Sequence, residues 1–369
     1  MDRDLQSGDC LVTAPKRMAE FHEPCFSDLK KRIAGAGLLT TARLYYLRAS
    51  LTTALLMASG WIAFHCIGDS WWQLAVAPYL GFAYVQTALL LHDAGHRQIF
   101  RRKNANELTC LILGNLLIGV NASWWVPTHN RHHSHPNHVA KDPFVDKPSG
   151  WQSTIAGTRR SAIIARSDAS LFLAGTLLFG LGFQVLGIYA AVKKVIIRHM
   201  LPLAAYFVLY VSVLGSTLSL PKAAFFALAH YSTIGAYLGA VLLPNHVGMD
   251  VRTGTEPEWV QRQVLTSRNL RGGIVLDYLF GGLNLQIEHH LFPTMARPHL
   301  RRAAPIVRSY CQEHDLRYYE TTVLNSYREI WHYLLTRHLV TSDRRDLDAD
   351  ASEGVDIFER PVNNLARPR

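Results

Sequence analysis

Six apolar stretches of this chain contain no aspartate, glutamate, lysine or arginine, and they limit the folds that it can adopt. They cover residues 49–67, 71–91, 108–126, 169–192, 200–220 and 223–245. Each approaches the roughly 20 residues that a helix needs to cross the hydrocarbon of a bilayer. Because only 18% of the residues are charged while the mean hydropathy is a modest +0.05, the composition indicates a membrane protein with a substantial aqueous part.

The charges that flank these stretches predict which of them cross the membrane. Basic segments precede the first stretch, follow the second and precede the fifth, whereas the linkers within the first and last pairs are short and contain a single lysine. By the positive-inside rule, the first two and the last two stretches form hairpins that turn on the outside. The third and fourth stretches, 108–126 and 169–192, must then begin and end on the cytosolic side, as re-entrant or interfacial helices.

The predicted fold is an all-α integral membrane protein with four transmembrane helices in two hairpins, interfacial helices and a cytosolic helical cap. We expect a flexible N-terminus at 1–24, one membrane domain at 25–340 and a disordered C-terminal tail at 341–369, which has little apolar surface to bury. No apolar segment typical of a signal peptide opens the chain. The excess of arginine over lysine favours a bacterial cell membrane as its location.

The net charge indicates which partners the chain can bind, and the cysteine spacing indicates whether it forms disulfides. The net charge of +10 suits an anionic membrane surface, and no basic run interleaves with aromatic residues, so nucleic acid is not expected as a partner. The five cysteines are dispersed and form no C-x-x-C pair. This pattern argues against a disulfide framework or a zinc knuckle and predicts free thiols.

Histidines cluster at the predicted cytosolic ends of the spans. His92 and His96 are spaced i, i+4 in "HDAGH", and "HNRHH" places three more at i, i+3 and i+4; "QIEHH" repeats that spacing, and one further histidine follows the last span in "PNHVG". Each spacing puts its side chains on one face of a helix. The clustered residues are His92, His96, His129, His132, His133, His246, His289 and His290, with Gln286 opening the last motif.

Eight imidazoles at helical spacing on one membrane face predict a metal site, because metals require neutral nitrogen donors fixed on rigid elements. One structural zinc takes four ligands, so this number indicates two metals. A metal-sensing or metal-transporting protein is the alternative from a different class. Transporters bind near the bilayer midplane, whereas these ligands cluster where the helices leave the membrane.

The motifs H-x-x-x-H, H-x-x-H-H and Q-x-x-H-H, interleaved with two membrane hairpins, resemble those of the integral-membrane fatty acid desaturases over about residues 25–340. The glutamine in the third motif is similar to the acyl-lipid and front-end branch. The resemblance implies a cap that holds two iron ions, with the eight histidines as ligands, and O2-dependent desaturation of a fatty acyl lipid or acyl thioester. It implies no catalytic residue beyond the metal ligands. Gln286 can offer only an amide oxygen, directly or through water.

Two further expectations follow from the resemblance. Many front-end relatives carry a fused cytochrome b5 domain with an H-P-G-G haem motif; because that motif is absent here, we expect electrons from a separate ferredoxin or cytochrome with its reductase. A sister di-iron hydroxylase, ketolase or epoxygenase acting on a lipid or hydrocarbon remains the alternative reaction. Ligating imidazoles commonly donate their second N–H to a carboxylate, so the acids beside the motifs are candidate orienting residues: Asp93, Asp142, Asp146, Asp250 and Glu288.

Overall fold

A computed structural model describes residues 25–145, 162–193, 197–252 and 258–336 of the chain. Within these residues the protein is mostly helical, and the predicted all-α membrane class is confirmed. The helices are α1 (Phe26–Gly35), α2 (Arg43–Ile67), α3 (Gln73–Gly95), α4 (Lys103–Cys110), α5 (Ala122–Ser134), α6 (Ala162–Gly175), α7 (Phe179–Lys193), α8 (Ile197–Thr217), α9 (Leu220–His246), α10 (Trp259–Leu265), α11 (Ile274–Leu279), α12 (Gln286–Leu291), α13 (Arg297–Glu313) and α14 (323–336).

Two helical hairpins, α2–α3 and α8–α9, correspond to the two predicted pairs of spans. Their turns meet at one end of the molecule, where Asp69 accepts hydrogen bonds from the backbone and hydroxyl of Ser219 at 2.9 and 3.1 Å. Lys222 pairs with the same carboxylate at 3.1 Å. Both hairpins therefore turn on the same side, as the flanking charges predict.

Helices α3 and α9 form the centre of the membrane region and run side by side. At Gly81 of α3 a Cβ would meet the Thr233 side chain of α9 at 2.9 Å and the His230 carbonyl at 3.2 Å. Small residues allow this approach of two backbones, on which helix packing in membranes relies. Because α3 and α9 end on the same side, their C-terminal residues are brought together there.

The third apolar stretch bends back on itself. Helix α4 continues as a π-helical segment, Leu111–Leu117, and then reverses into α5 with a bend of 117°. Gly119 allows the reversal because its φ is +68° and a Cβ at this position would collide with the ring of Tyr206. The Asn115 side chain accepts a hydrogen bond from the Ala122 backbone at 3.0 Å and donates one to the His199 carbonyl at 2.9 Å. A bend of this size fits a re-entrant or a broken helix, so the re-entrant or interfacial arrangement stays a prediction.

By length and composition alone, more helices than the predicted four could cross a membrane. Five described helical segments are long and apolar enough to cross, or up to six if the bent pair counts as one span. The additional segment is Arg166–Lys193. It contains most of α6, a 3-10 turn and α7. The number four stays a prediction.

A cap of shorter elements covers the ends of the spans where α3 and α9 finish. Helices α1, α10, α12 and α13 share one hydrophobic cluster in which Ile287, Val307 and Tyr310 are fully buried. The two strands among the described residues, β1 (Asn269–Arg271) and β2 (Glu320–Thr322), pair in parallel and have three residues each. Strand β1 leads into α11 and, through it, into the third histidine motif.

Some expectations lie outside the described residues, namely the flexible N-terminus at 1–24 and the disordered tail at 341–369. The prediction of free thiols is wrong for Cys25, which is disulfide-bonded. It is confirmed for Cys66, Cys110 and Cys311, which are free. Dispersed spacing in the sequence could not reveal the bond, because it carries no information on which thiols approach in space.

Candidate metal centre

The structure brings all eight predicted histidines together in two adjoining groups. One ligand atom of each residue lies within 4.8 Å of those of the others in its group. The larger group, which we call the five-histidine group, consists of His92, His96, His129, His133 and His289. The smaller, the three-histidine group, consists of His132, His246 and His290.

Four helices, α3, α5, α9 and α12, position these side chains. Helix α3 ends just after His92, and His96 is its C-cap residue, so both imidazoles emerge at one end of a span. His246 is likewise the last residue of α9. Helices α5 and α12 carry the remaining five, and consecutive histidines in each of them point into different groups. The two groups are therefore neighbours.

The outer nitrogens of the three-histidine group are held by protein acceptors. His132 Nδ1 lies 2.8 Å from Asp142 Oδ2, His246 Nδ1 2.9 Å from the Thr266 carbonyl, and His290 Nδ1 2.9 Å from Gln263 Oε1. Because a carbonyl or carboxylate oxygen only accepts, each Nδ1 is assigned the proton and each Nε2 keeps a lone pair. This tautomer is the one that a metal-binding imidazole needs.

The inner nitrogens point at one another, which fits metal ions between them. The Nε2 atoms of His132 and His246 are 3.2 Å apart, and His133 Nε2 is 3.1 Å from the Nε2 atoms of both His129 and His289. The buried Nε2 atoms of His92, His96 and His290 make no hydrogen bond at all. Buried polar atoms are normally satisfied, so this convergence of lone pairs indicates a metal centre.

Burial favours the neutral form of the two histidines in α12. In α12, burial and then the neighbouring histidines hold the pKa values of His289 and His290 well below the usual range. A protonated imidazole has no lone pair for a metal. The environment thus favours the ligating form before any ion binds.

Comparison with known proteins agrees with this geometry. Residues 69–322 match the family described as fatty acid desaturase. The chain belongs to the fatty acid desaturase family. It is thus a membrane-bound desaturase, and its paired histidine groups fit the metal binding expected of such an enzyme.

Several curated desaturases are similar to it. An acyl-lipid (9-3)-desaturase of Physcomitrium patens is 28% identical over 366 residues, which cover 92% of this chain and 68% of the relative. A Delta(5) fatty acid desaturase of Caenorhabditis elegans is 28% identical over 82% of this chain and 71% of its own length. A Delta(8)-fatty-acid desaturase of Borago officinalis is 28% identical, with 69% of this chain and 61% of the relative covered.

Two of the predicted orienting acids, Asp142 and Asp93, lie beside histidines of the metal centre. Asp142 contacts His132, as expected of an orienting acid. Burial raises the pKa of the Asp142 carboxyl, but His132 and the backbone N–H groups of Phe144 and Asn137 have the larger combined effect, so the pKa is lowered. Asp93 lies 3.3 Å from His92 Nδ1 and forms a buried ion pair with Arg297 at 2.7 Å.

Two of the other three acids, Glu288 and Asp250, have their hydrogen bonds and ion pairs with groups other than the clustered histidines. Glu288 is fully buried and accepts hydrogen bonds from Asn269 at 2.7 Å and Tyr318 at 2.9 Å; burial raises the pKa of its carboxyl to about 7. Asp250 pairs with arginines at the surface of the cap. Asp146 lies outside the described residues.

Sequence reasoning missed several residues that hold the clustered histidines. Gln263 and Thr266 lie on or beside α10, far from any histidine motif. Asn137 adopts a φ of +54° and is fully buried. Its side chain donates to the His246 carbonyl at 3.1 Å, and its backbone N–H donates to Asp142 at 2.9 Å. Asn137 therefore links the end of α9 at His246 to Asp142, the partner of His132. Asparagine is one of the residues other than glycine that most often adopt such a positive φ.

The two histidines that extend the second motif lie outside both groups. His135 is partly exposed, while His138 is buried rather than at the surface, and its Nδ1 accepts a hydrogen bond from the Ala140 backbone at 3.2 Å. Gln286, by contrast, reaches the site. Its amide nitrogen lies 2.9 Å from His246 Nε2, and its Oε1 is buried without a hydrogen bond.

His230 lies within α9 but apart from the metal centre. It is sixteen residues before His246, or about 24 Å along the helix, and its Nδ1 lies 2.9 Å from the Tyr210 hydroxyl of α8. His230→Ala should keep the full metal content while losing stability, because an unsatisfied buried hydroxyl costs about 1–3 kcal/mol. Metal analysis with thermal unfolding in detergent checks this, and Tyr210→Phe, which removes the same bond, is the matched control. Loss of metal from the folded His230→Ala protein would contradict the separation.

Proposed function

We propose that this protein uses O2 to desaturate a fatty acyl chain at a centre of two irons held by the eight histidines. The observation that carries the proposal is the pair of adjoining histidine groups, buried and with inner nitrogens converging, in a chain of the fatty acid desaturase family. The substrate is a fatty acyl lipid or acyl thioester. In the net reaction two hydrogens leave adjacent carbons, O2 takes up two electrons and two protons besides, and two waters form.

The chemistry explains why the residues present are histidines rather than an acid–base pair. An unactivated C–H bond resists acid–base attack, and iron with O2 supplies the oxidant when it is bound. The chain's own residues hold the geometry. Asp142, Thr266 and Gln263 fix the rings of one group, and burial of the site excludes water that would compete with the acyl chain.

Desaturation is favoured over the sister hydroxylation, ketolation or epoxidation by the comparisons. The three relatives are named as desaturases, and the family match covers α3, the second hairpin and all three motifs. The outcome of such a reaction depends on placing the acyl carbon within fractions of an ångström. Product analysis therefore decides between the two reactions.

Gln286 supports the smaller group in this proposal. The three-histidine group has fewer nitrogen ligands than its neighbour, and the Gln286 amide is the polar group beside it. Amide oxygen and nitrogen are assigned from the hydrogen-bond network; with a metal present, Oε1 would turn inward and bind it directly or through water. A carbonyl oxygen is a weaker iron ligand than imidazole, so the two metals differ in their surroundings.

The role of Gln286 can be tested by shape-matched substitutions. We expect Gln286→Leu to lower the iron content toward one per chain, because it removes the oxygen, and Gln286→Glu to retain both irons. Iron analysis of folded protein gives the result, with Mössbauer spectra to distinguish the two ions. Two irons and unchanged spectra in Gln286→Leu would show that the amide is not a ligand.

The topology we propose has four spans with the metal centre on the cytosolic side. The ligands on α3, α5 and α9 meet at one place, so the chain between any two of them must cross the membrane an even number of times. Helices α8 and α9 provide two crossings between α5 and His246. The bent pair and the segment Arg166–Lys193 must then return to the side on which they begin, despite their apolar length.

We propose that the electrons come from a separate carrier, a ferredoxin or cytochrome with its reductase, because the reaction consumes two electrons beyond those that the substrate gives up. We expect purified protein in lipid vesicles to turn over only when both the carrier and the reductase are added. The assay measures double-bond formation, with each component omitted in turn. Turnover with NADPH and this protein alone would overturn the proposal.

A further inference from the structure

The short helix α11 presents apolar side chains to the outside of the protein. Ile274 is 81% exposed and Val275 73% exposed, and no residue of the helix is buried. We call the side chains of Ile274 and Val275 the apolar edge of α11. Exposure of this edge to water would be unfavourable, since moving each large apolar side chain out of water lowers the free energy by about 1.5–3 kcal/mol. The position of α11 relative to the spans accounts for this exposure.

Contacts with α3 and α9 fix the depth of α11. The Tyr237 hydroxyl of α9 donates to the Leu279 carbonyl at 2.6 Å. Phe82 of α3 stacks on Tyr237 with ring centroids 5.6 Å apart and lies 6.4 Å from the ring of Tyr278. Helix α11 therefore packs beside these two spans.

The distances along the spans place these contacts well below the metal centre. Phe82 is ten residues before His92, about 15 Å along α3, and Tyr237 is nine before His246, about 14 Å along α9. Helical side chains lean toward the N-terminus, which here is away from the metal centre. Since half of the hydrocarbon is about 15 Å thick, α11 lies at a depth where lipid surrounds the spans.

The polar groups of α11 are paired as such a depth requires. Asp277 receives two hydrogen bonds from Arg301 at 2.5 Å each and one from Asn284 at 2.8 Å. Arg301 also donates to the Gly272 carbonyl at 2.8 Å. Charges within a membrane are tolerated when they are paired with one another and with backbone groups. The apolar edge, in contrast, faces outward.

We propose that α11 is inserted into the leaflet on the metal-centre side and that Ile274 and Val275 contact lipid acyl chains. The occupant of this edge is bilayer lipid, because the edge continues the lipid-facing surface of α3, on which Leu74 and Tyr79 are also exposed. The insertion holds the segment that leads into the third histidine motif at a fixed height on the membrane. It does not depend on iron or on desaturation.

Nitroxide scanning tests the insertion on the full chain in phosphatidylcholine–phosphatidylglycerol vesicles. Val275→Cys and, as the matched control, Arg302→Cys on the exposed surface of α13 are each spin-labelled in a Cys66→Ser background, with that background as the labelling blank. Power saturation compares collisions with O2, which concentrates in lipid, and with a water-soluble nickel chelate. We expect the ratio of O2 to nickel accessibility to exceed one at Val275 and to fall below one at Arg302.

Two outcomes would overturn the proposal. Nickel accessibility at Val275 equal to that at Arg302 would place α11 in water. Shielding of Val275 from both reagents, together with a short nitroxide–nitroxide distance between chains, would show that a second copy covers the edge. Labelling Ile274→Cys repeats the measurement at the adjacent position if Val275→Cys does not fold.

Discussion

His132→Ala should reduce desaturation by more than about a hundredfold and lower the iron content from about two per chain toward one. His132 belongs to the three-histidine group, and its ring is fixed by Asp142 on one side and faces His246 Nε2 on the other. Changing residues that merely orient a ligand commonly costs about 10–100-fold in metal affinity or activity, so loss of the ligand itself should cost more. Iron analysis and product formation on purified, membrane-inserted protein measure both effects.

His135→Ala is the matched control, since it removes an imidazole of the same helix end that lies outside both groups. It should keep its iron and most of its activity. An iron content of two in folded His132→Ala would show that this residue is not a ligand. Stoichiometric zinc with no iron in freshly prepared wild-type protein would contradict the oxidase chemistry as a whole.

Arg297→Met should destabilise the protein by about 3–5 kcal/mol, the usual cost of leaving one partner of a buried ion pair without the other. Arg297 and Asp93 are both almost fully buried and lie 2.7 Å apart. The same guanidinium donates to the Leu89 carbonyl at 2.8 Å, so its loss leaves a second group unsatisfied. Because Asp93 adjoins His92, we also expect weaker iron binding. Thermal and denaturant unfolding in detergent measure the stability.

Arg308→Met provides the comparison on the same helix. Arg308 pairs with Glu320 at 2.7 Å, but its side chain is 45% exposed, and exposed pairs contribute about 0–1 kcal/mol. The double variant Asp93→Asn/Arg297→Met should recover part of the stability because it leaves no unpaired charge. Equal stability of Arg297→Met and Arg308→Met would show that the buried pair does not support the fold.

The sequence predicts the helices and the clustering of the eight histidines because both depend on local patterns. The i, i+3 and i+4 spacing that puts His129, His132 and His133 on one face of a helix is a property of a single turn. The flanking charges place the ends of α3 and α9 on one side. Together these two rules suffice to predict that distant motifs converge, which the structure reproduces.

The parts that the sequence did not predict depend on contacts between distant segments. Gln263, Thr266 and Asn137 hold ligand rings or their helices from loops and from α10, and nothing in their own neighbourhood of the chain marks them. The division of the histidines into groups of five and three arises from how α5 and α12 face each other. The 3-10 and π-helical segments and the short β1–β2 pair are likewise set by packing.

Expression in a host together with a matched electron carrier tests whether this chain introduces a double bond into a fatty acyl chain. Gas chromatography with mass spectrometry then identifies the fatty acids in the lipids of the host. We predict a new unsaturated fatty acid in the wild-type strain, with its double-bond position readable from the fragments, and none in a strain expressing His132→Ala at the same level. An unchanged fatty acid profile despite iron-loaded, membrane-inserted protein, or a hydroxylated or epoxidised product in place of the double bond, would contradict the claim.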